Sequence, residues 1–454
     1  MTAQSAHTTK PQRGHRDRGW VGVLDRAVLP LGDLWMRTEY MRELRRWRGI
    51  QRLDSTSLAR MQRNALQHLL RHATTNVAYY HDLAIPSSGD PHEWLRRFPL
   101  LTKSHLRDHE DQLRDPRIKR VVKVSSSGSS GMQSTLWVTP REMSRSQAIQ
   151  TLWWEWAGYR HGHQLLQTGI TPDRGFVKRF KDTVLNTDYV VAFGLTDAEM
   201  VEILRRTHDG GVFGGYASSL DAFARAGAEA GINGPRFRSA CSWGDKLFPQ
   251  FRDHVRQQFG AEIYDSYGTS EGFMIAAQRD PSGPYQVMSP HVVVELLDDD
   301  DQPVPDGEMG RVVVTRLDGF ATPLIRFVLG DLAQAPSERI EEEHGLSFPQ
   351  LERIIGRETD AFRSPGGRTL TVHTFTGVME HFAEIQQFCV VPGDGAITIE
   401  YIPAPGMGDA VLERADAALN EAVGEDLSVT WTEVDHIGAT PSGKPQIIRP
   451  GLPT

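Results

Sequence analysis

The segment SPHVVVELLDDDDQPVPDGEMGRVVVTRLDGFATPLIRFVLGD, residues 289–331, holds three apolar runs separated by polar turns. The first two are β-branched and flank an acidic stretch rich in proline and glycine. That pattern predicts a β-hairpin with a long exposed tip. The four aspartates 298–301 fall in the tip. Carboxylates on adjacent strand or turn residues diverge in direction, so a solvated tip explains them better than a metal site. The third run ends in Gly330-Asp331. An aspartate at such a strand end can accept both hydroxyls of a ribose, although Gly-Asp is also an ordinary β-turn.

Upstream, from about residue 120 to 330, short apolar segments (RVVKV, QLLQTGI, YVVAFGL, AEIYDSY) alternate with helical stretches such as TDAEMVEILRRT. This alternation predicts crossover units and a mixed or parallel sheet. Two loops in this region have the chemistry of anion sites. KVSSSGSSGMQS, 123–134, carries five serines and two glycines between Ser125 and Gly131. Small residues let backbone N–H groups converge, and hydroxyls add donors, so the loop suits phosphate oxygens; as composition it also suits a plain linker. YDSYGTSEG, 264–272, follows a strand with an aromatic, a glycine, two hydroxyls and an acid. The ring can stack on a purine, the hydroxyls can bond phosphate and the carboxylate can hold Mg²⁺. The plain alternative is a tight turn with a capping glutamate.

Further upstream, Leu58, Met61, Leu66, Leu69 and Leu70 share one face of a helix predicted over 55–73, with Ser55 or Ser57 as its cap. Downstream, a boundary falls near 352–360. Beyond it the order is helix (374–385), strand (386–391), strand (396–402), helix (409–423) and strand (427–434), a small α+β unit with its own core. IIGRETD, 354–360, places Arg357 at the boundary, where it could meet a ribose or phosphate or form a surface ion pair. PSGKPQIIR, 441–449, places Lys444 in a Gly/Pro-punctuated loop near the end.

Composition narrows the class. The 454 residues are 39% hydrophobic and 24% charged, which suits two or three globular domains. The net charge of -8 gives no reason to expect nucleic acid or an anionic membrane as partner. Two cysteines, Cys241 and Cys389, exclude a disulfide scaffold and a cysteine zinc site, and make the cytoplasm the natural compartment. No apolar run is long enough to span a bilayer, and residues 1–20 read as a disordered polar tail rather than a signal peptide.

Together, and in this order, these motifs resemble the adenylate-forming superfamily of acyl-CoA synthetases, amino-acid adenylation domains and luciferases. The likeness is strongest to its phenylacetate–CoA ligase branch. LQHLLRHATTNVAYYHDL (66–83), FPLLTKSHLRDH (98–109) and the whole 289–331 segment carry it, and it extends from about residue 55 to the C-terminus. The resemblance implies an α/β fold: a large N-terminal domain of mixed sheets and helices, 21–356, and a small, mobile α+β C-terminal lid, 357–454. It implies an AMP-forming acid–thiol ligase that turns a carboxylic acid, here an aromatic one, into an acyl-adenylate and passes the acyl group to CoA or another thiol. ATP and Mg²⁺ are the implied cofactors, CoA one possible acceptor, and a homodimer is compatible with it.

Carried across residue by residue, the resemblance makes Ser126, Ser127, Gly128, Ser129, Ser130 and Gly131 the phosphate loop. Tyr267 stacks on adenine beside Gly268, Thr269 and Ser270 contact phosphate, and Glu271 holds Mg²⁺. Asp331 and Arg357 grip the ribose. SACSWGDKL (239–247), with Gly244, lines the adenine and acyl pocket, and Lys444 reaches in from the lid, hinged at Thr359–Asp360. Three departures stand out: Met132 replaces the lysine that usually ends the phosphate loop, Thr359 stands where the hinge usually has Asp or Lys, with Asp360 one later, and Pro365-Gly366-Gly367 alters the loop after the hinge. They keep open an amine or hydroxyl acceptor, as in amide- or ester-forming enzymes of secondary metabolism, and a nucleotide-binding homologue without turnover. Among TLWWEWAGYRHGH, the rings of Trp153, Trp154, Trp156 and Tyr159 are expected in the core, with one or two able to face the acid. His161, His163 and His291 are expected to be structural rather than catalytic; of the three, His291, which resembles a histidine at the same place in the branch, is the best candidate to touch ligand.

Overall fold

The computed structural model describes residues 22–449, apart from 126–134, 170–174, 270, 339–344, 358–360, 367–368, 380, 383, 394, 425–426 and 439–446. The tail 1–20 therefore lies outside the described residues. The helix predicted over 55–73 runs from Ser55 to Asn76, with Leu58, Leu66, Leu69 and Leu70 buried. Its cap is Asp54 rather than a serine: the extended Asp54 carboxylate accepts from the Ser57 N–H at 2.8 Å. A carboxylate also favours the positive end of the helix, which a serine hydroxyl does not match.

In chain order the strands are β1 (Val122–Ser125), β2 (Thr135–Val138), β3 (Leu165–Gly169), β4 (Thr187–Val191), β5 (Val212–Gly215), β6 (Ser239–Ser242), β7 (Ile263–Gly268), β8 (Met274–Gln278) and β9 (Tyr285–Val287). There follow β10 (Val292–Leu297), β11 (Met309–Arg316), β12 (Phe327–Gln334), β13 (Gln350–Leu351), β14 (Arg353–Arg357), β15 (Ala361–Arg363), β16 (Thr369–Thr371), β17 (Ile385–Pro392), β18 (Ala396–Pro403) and β19 (Ser428–Glu433). The largest sheet has the order β13-β9-β8-β7-β6-β5-β3-β4. Its β4, β3, β5, β6 and β7 pair in parallel, joined by helices that cover the sheet; β8 and β9 add antiparallel strands. Because β4 and β5 leave on opposite sides of β3, the strand order reverses there, and a crevice opens at the carboxyl ends of such strands.

The predicted hairpin is present. β10 and β11 pair antiparallel, and β12 and β14 extend them to four strands. The tip is exposed around residues 298–302. It is held by Arg311, which donates to the Asp298 carbonyl at 2.6 Å and to the Asp301 carboxylate at 2.7 Å. Among the described residues no group of three or more His, Cys, Asp or Glu could hold a metal ion. Asp300→Asn is accordingly expected to shift unfolding free energy by less than ~0.5 kcal/mol in urea titration, as exposed positions do.

The C-terminal unit has its own core, in which Phe375, Val390, Ile397, Ile399, Leu419 and Val423 pack together. β17 and β18 pair antiparallel and β18 and β19 in parallel, with the helix Asp409–Val423 between the last two. The chain is thus a large sheet-rich N-terminal domain followed by a small sheet domain. Phe248 of the large domain packs into the small domain's cluster. No helix among the described residues is long and apolar enough to cross a membrane.

Candidate functional site

The candidate residues converge on the carboxyl end of β7. Tyr267, half-buried at that end, donates its hydroxyl to Asp331 Oδ2 at 2.7 Å. Asp331 lies on β12, 64 residues later, and is itself buried. β12 places it opposite Arg357 of β14, the two being register partners. Three residues selected separately from the sequence thus meet across two sheets. Gly330 has φ +72°, with no atom within 4 Å of where a Cβ would be, so the backbone before Asp331 faces open space.

Behind Tyr267 the chain makes a tight turn. Thr269 N–H donates to the Phe273 carbonyl at 2.9 Å, and Gly272 N–H to the Thr269 carbonyl at 3.0 Å. A side chain at Gly268 would stand 2.7 Å from the Phe273 carbonyl, which explains a glycine at this crossing. The Thr269 hydroxyl is buried and makes no hydrogen bond among the described residues. Such a group has the character of a site awaiting a polar ligand. Glu271 is 4% exposed in the same turn.

A charged network, not anticipated from the sequence, supports this turn from beneath. Arg316, 2% exposed, donates to the Glu271 carbonyl at 3.3 Å and to the Glu142 carbonyl at 3.4 Å. Its Nε donates to Asp318 at 3.0 Å, and Arg145 pairs with the same carboxylate at 2.8 Å and with Glu43 at 3.0 Å. Burial alone would raise the Asp318 pKa, but His291, Arg316 and Arg145 converge on it and hold it well below the usual carboxylate range. Glu142 fixes the neighbouring loop by accepting from Phe320 N–H at 2.8 Å.

His291 belongs to this network, in the structural role that is the commoner one for such a histidine. Its Nδ1 bonds Asp318 at 2.7 Å and its Nε2 accepts from Met274 N–H at 3.3 Å, so both ring nitrogens face protein in a fully buried position. His161 is engaged in the same way, by Asp25 at 2.5 Å and the Tyr40 hydroxyl at 2.6 Å. His163 Nδ1 accepts from Arg160 N–H at 3.1 Å. Trp153 and Trp156 are core residues as expected.

β6 runs beside β7, and Ser266 donates to the Ser242 carbonyl at 2.8 Å. Just beyond β6, Gly244 has φ +82°, and a Cβ there would lie 2.6 Å from the Tyr216 ring. Lys246 donates to the Ile355 carbonyl of β14. Asp265, beneath the site, accepts from Ser242 and Tyr285 hydroxyls, both at 2.5 Å; burial outweighs these donors and raises its pKa. Cys241 is a buried thiol pushed up to about 12 by burial, which makes it an inert packing group rather than a nucleophile.

Four parts of the expected site lie outside the described residues: the loop Ser126–Gly131 with Met132, Ser270, the hinge Thr359–Asp360, and Lys444. Their surroundings are described. β1 and β2 pair antiparallel up to Ser125 opposite Thr135, so the serine-rich loop connects two strands of a hairpin. Thr322 donates to the Trp137 carbonyl at 3.2 Å and accepts from its N–H at 3.0 Å, tying that hairpin to the segment leading to Asp331. Three residues after Lys444, Ile447 accepts from Val390 N–H at 2.7 Å, and Arg449 N–H donates back to Val390 at 2.8 Å. These bonds hold Ile447 and Arg449 to β17 of the small domain's sheet. For Arg357, only the strand pairing of its backbone is described.

No family model matches the chain. Among curated proteins, Protein CapK of Staphylococcus aureus is 20% identical over 434 residues, covering 91% of this chain and 93% of that protein. The phenylacetate-coenzyme A ligase of Escherichia coli (strain K12) is 24% identical over 326 residues, covering 67% of this chain and 72% of the ligase. Among solved structures, 2-hydroxyisobutyryl-CoA ligase in its postadenylation state superimposes with a TM-score of 0.67 at 17% identity, over 86% of this chain and 88% of that one.

Proposed function

Since the chain belongs to the adenylate-forming superfamily, we propose that it activates a carboxylic acid with ATP, releasing pyrophosphate and forming an acyl-adenylate, and then transfers the acyl group to a thiol such as CoA. The observation that carries this reading is the Tyr267–Asp331 bond, with Arg357 opposite Asp331 in the sheet. It gathers an adenine platform and a ribose acceptor at one strand end.

In this reading Tyr267 presents its ring to the purine, and its hydroxyl, held by Asp331, fixes the ring plane. Asp331 has two oxygens and so can accept from ribose hydroxyls while Tyr267 donates to it. Ser126–Gly131 would wrap the β- and γ-phosphates with backbone N–H groups, and the Thr269 hydroxyl would donate to a phosphate oxygen. The buried Glu271 carboxylate, in the same turn as the unsatisfied Thr269 hydroxyl, would hold a divalent cation, and Mg²⁺ there would supply charge neutralisation for the polyphosphate. The acid's carboxylate attacks the α-phosphorus, the bond from that phosphorus to the bridging oxygen breaks, and pyrophosphate leaves. Little covalent work falls to the protein; positioning and charge stabilisation suffice. Domain boundaries near 357 and the hinge at Thr359–Asp360 belong to this proposal. They let the small domain present Lys444 for the first half-reaction and another face for the second.

Product mass spectrometry tests the reading: ATP, a panel of aryl and alkyl acids, and CoA present or absent. AMP together with an acyl-CoA mass is expected; AMP with product only when an amine or alcohol is supplied would move the acceptor out of the thiol class. Tyr267→Phe removes the tether but keeps the ring. It should raise the KM for ATP about 5- to 10-fold, the worth of one ordinary hydrogen bond, with kcat changed less.

A further inference from the structure

Building on that reading, we propose that Trp243 sets the depth of the acid-binding slot and limits the acid to a side chain of one flat ring or smaller. The acid must lie beside the nucleotide's α-phosphate, next to the end of β7, and β6 is the neighbouring strand. Trp243 is the first residue after β6. Its backbone N–H is anchored to the Gly215 carbonyl at 3.1 Å. Its ring lies over the end of β5: a Cβ on Gly214 would stand 2.9 Å from the far edge of the indole. Any side chain at position 214 would displace the ring, so glycine here makes room for the tryptophan of this same chain.

The ring has a firm backing. Trp154 stacks on it at 5.6 Å with the planes 29° apart, and Tyr159 packs edge-on against Trp154 at 5.7 Å. Tyr159 is 2% exposed and part of a buried cluster with Leu165, Val212 and Cys241. Trp243 packs against that cluster and cannot retreat without opening it, yet it is itself only half-buried. On the other side of Gly244, Tyr216 and Phe193 form a second aromatic pair, 5.2 Å apart. In this proposal the two pairs of rings would offer flat faces to a planar group beside Gly244, and the stacked indoles would stop anything longer. Trp243 acts here as a specificity-determining residue with no part in the bond changes.

Acid-dependent exchange of labelled pyrophosphate into ATP, measured with single-ring and two-ring aryl acids, tests the proposal. Truncating the indole opens apolar space on the order of 100 Å³, enough to admit a second ring. For Trp243→Ala, kcat/KM for the two-ring acid should rise at least ~10-fold, with a comparable fall for the single-ring acid, the scale on which apolar pockets discriminate. Trp243→Phe should give an intermediate profile, and it answers the question if the alanine variant does not fold. An unchanged ratio of the two acids in both folded variants, or a wild type that already prefers the two-ring acid, would overturn the role of Trp243 while leaving adenylation intact. Exchange with no acid at all in the wild type would instead remove the function on which the proposal rests.

Discussion

Lys444→Ala should lower the rate of acyl-adenylate formation by ~10²–10³-fold or more, the usual loss when one preorganised charge partner of a transition state is removed. Thioester formation from acyl-adenylate supplied ready-made should persist within a few-fold. Two anions, the acid and the polyphosphate, must approach each other in the first half-reaction, and an ammonium at the α-phosphate lowers that barrier. In the second half-reaction the polyphosphate is gone. Ile447 and Arg449 pair with Val390 of β17, and a lysine carried by a small domain that takes two positions would serve only one half-reaction. Quenched-flow measurement of pyrophosphate release, set beside thioester formation from supplied adenylate, separates the two steps; equal loss of both would contradict a lid that works in two positions.

The second large effect is on stability. Asp318→Ala should cost about 3–5 kcal/mol, because it leaves Arg316 and Arg145 buried without the carboxylate they share. His291 also loses the acceptor for its Nδ1. Urea denaturation gives the number, and activity should fall with it, since Arg316 holds the turn that carries Glu271. The pH dependence has a definite sign. The folded Asp318 pKa lies well below its unfolded value, near 4, so its contribution is fully present above that value. It is lost as the pH falls through the folded value. The stability gap between wild type and Asp318→Asn should therefore be constant from neutral pH down to about 4 and narrow below it.

Much of the fold was legible because periodicity and turn chemistry are local. The hairpin β10–β11, the helix from Ser55 and the order of elements in the small domain all follow from such patterns. β5 was missed: VFGG is fully buried, rich in glycine and too short for alternation, so nothing local marks it as a strand. At the site, Tyr267, Glu271 and Asp331 were legible as chemistry-bearing residues at strand ends. The bond between Tyr267 and Asp331 was not, because it depends on how two sheets meet. The Arg145–Asp318–Arg316 network was also hidden. Its members look like ordinary surface charges in sequence, and only the fold buries them. Within SACSWGDKL, the stretch the resemblance sets along the adenine and acyl pocket, only Gly244 was singled out, though the bulky ring of Trp243 beside it was a usable signal.

The most direct test of the nucleotide site is the exchange of labelled pyrophosphate into ATP by the wild type and by Glu271→Gln, with the acid and Mg²⁺ varied. The account predicts exchange that depends on a carboxylic acid, and a variant that loses it about 10²-fold or more while keeping its fold. Exchange that proceeds without acid, or that survives undiminished in Glu271→Gln, would contradict it.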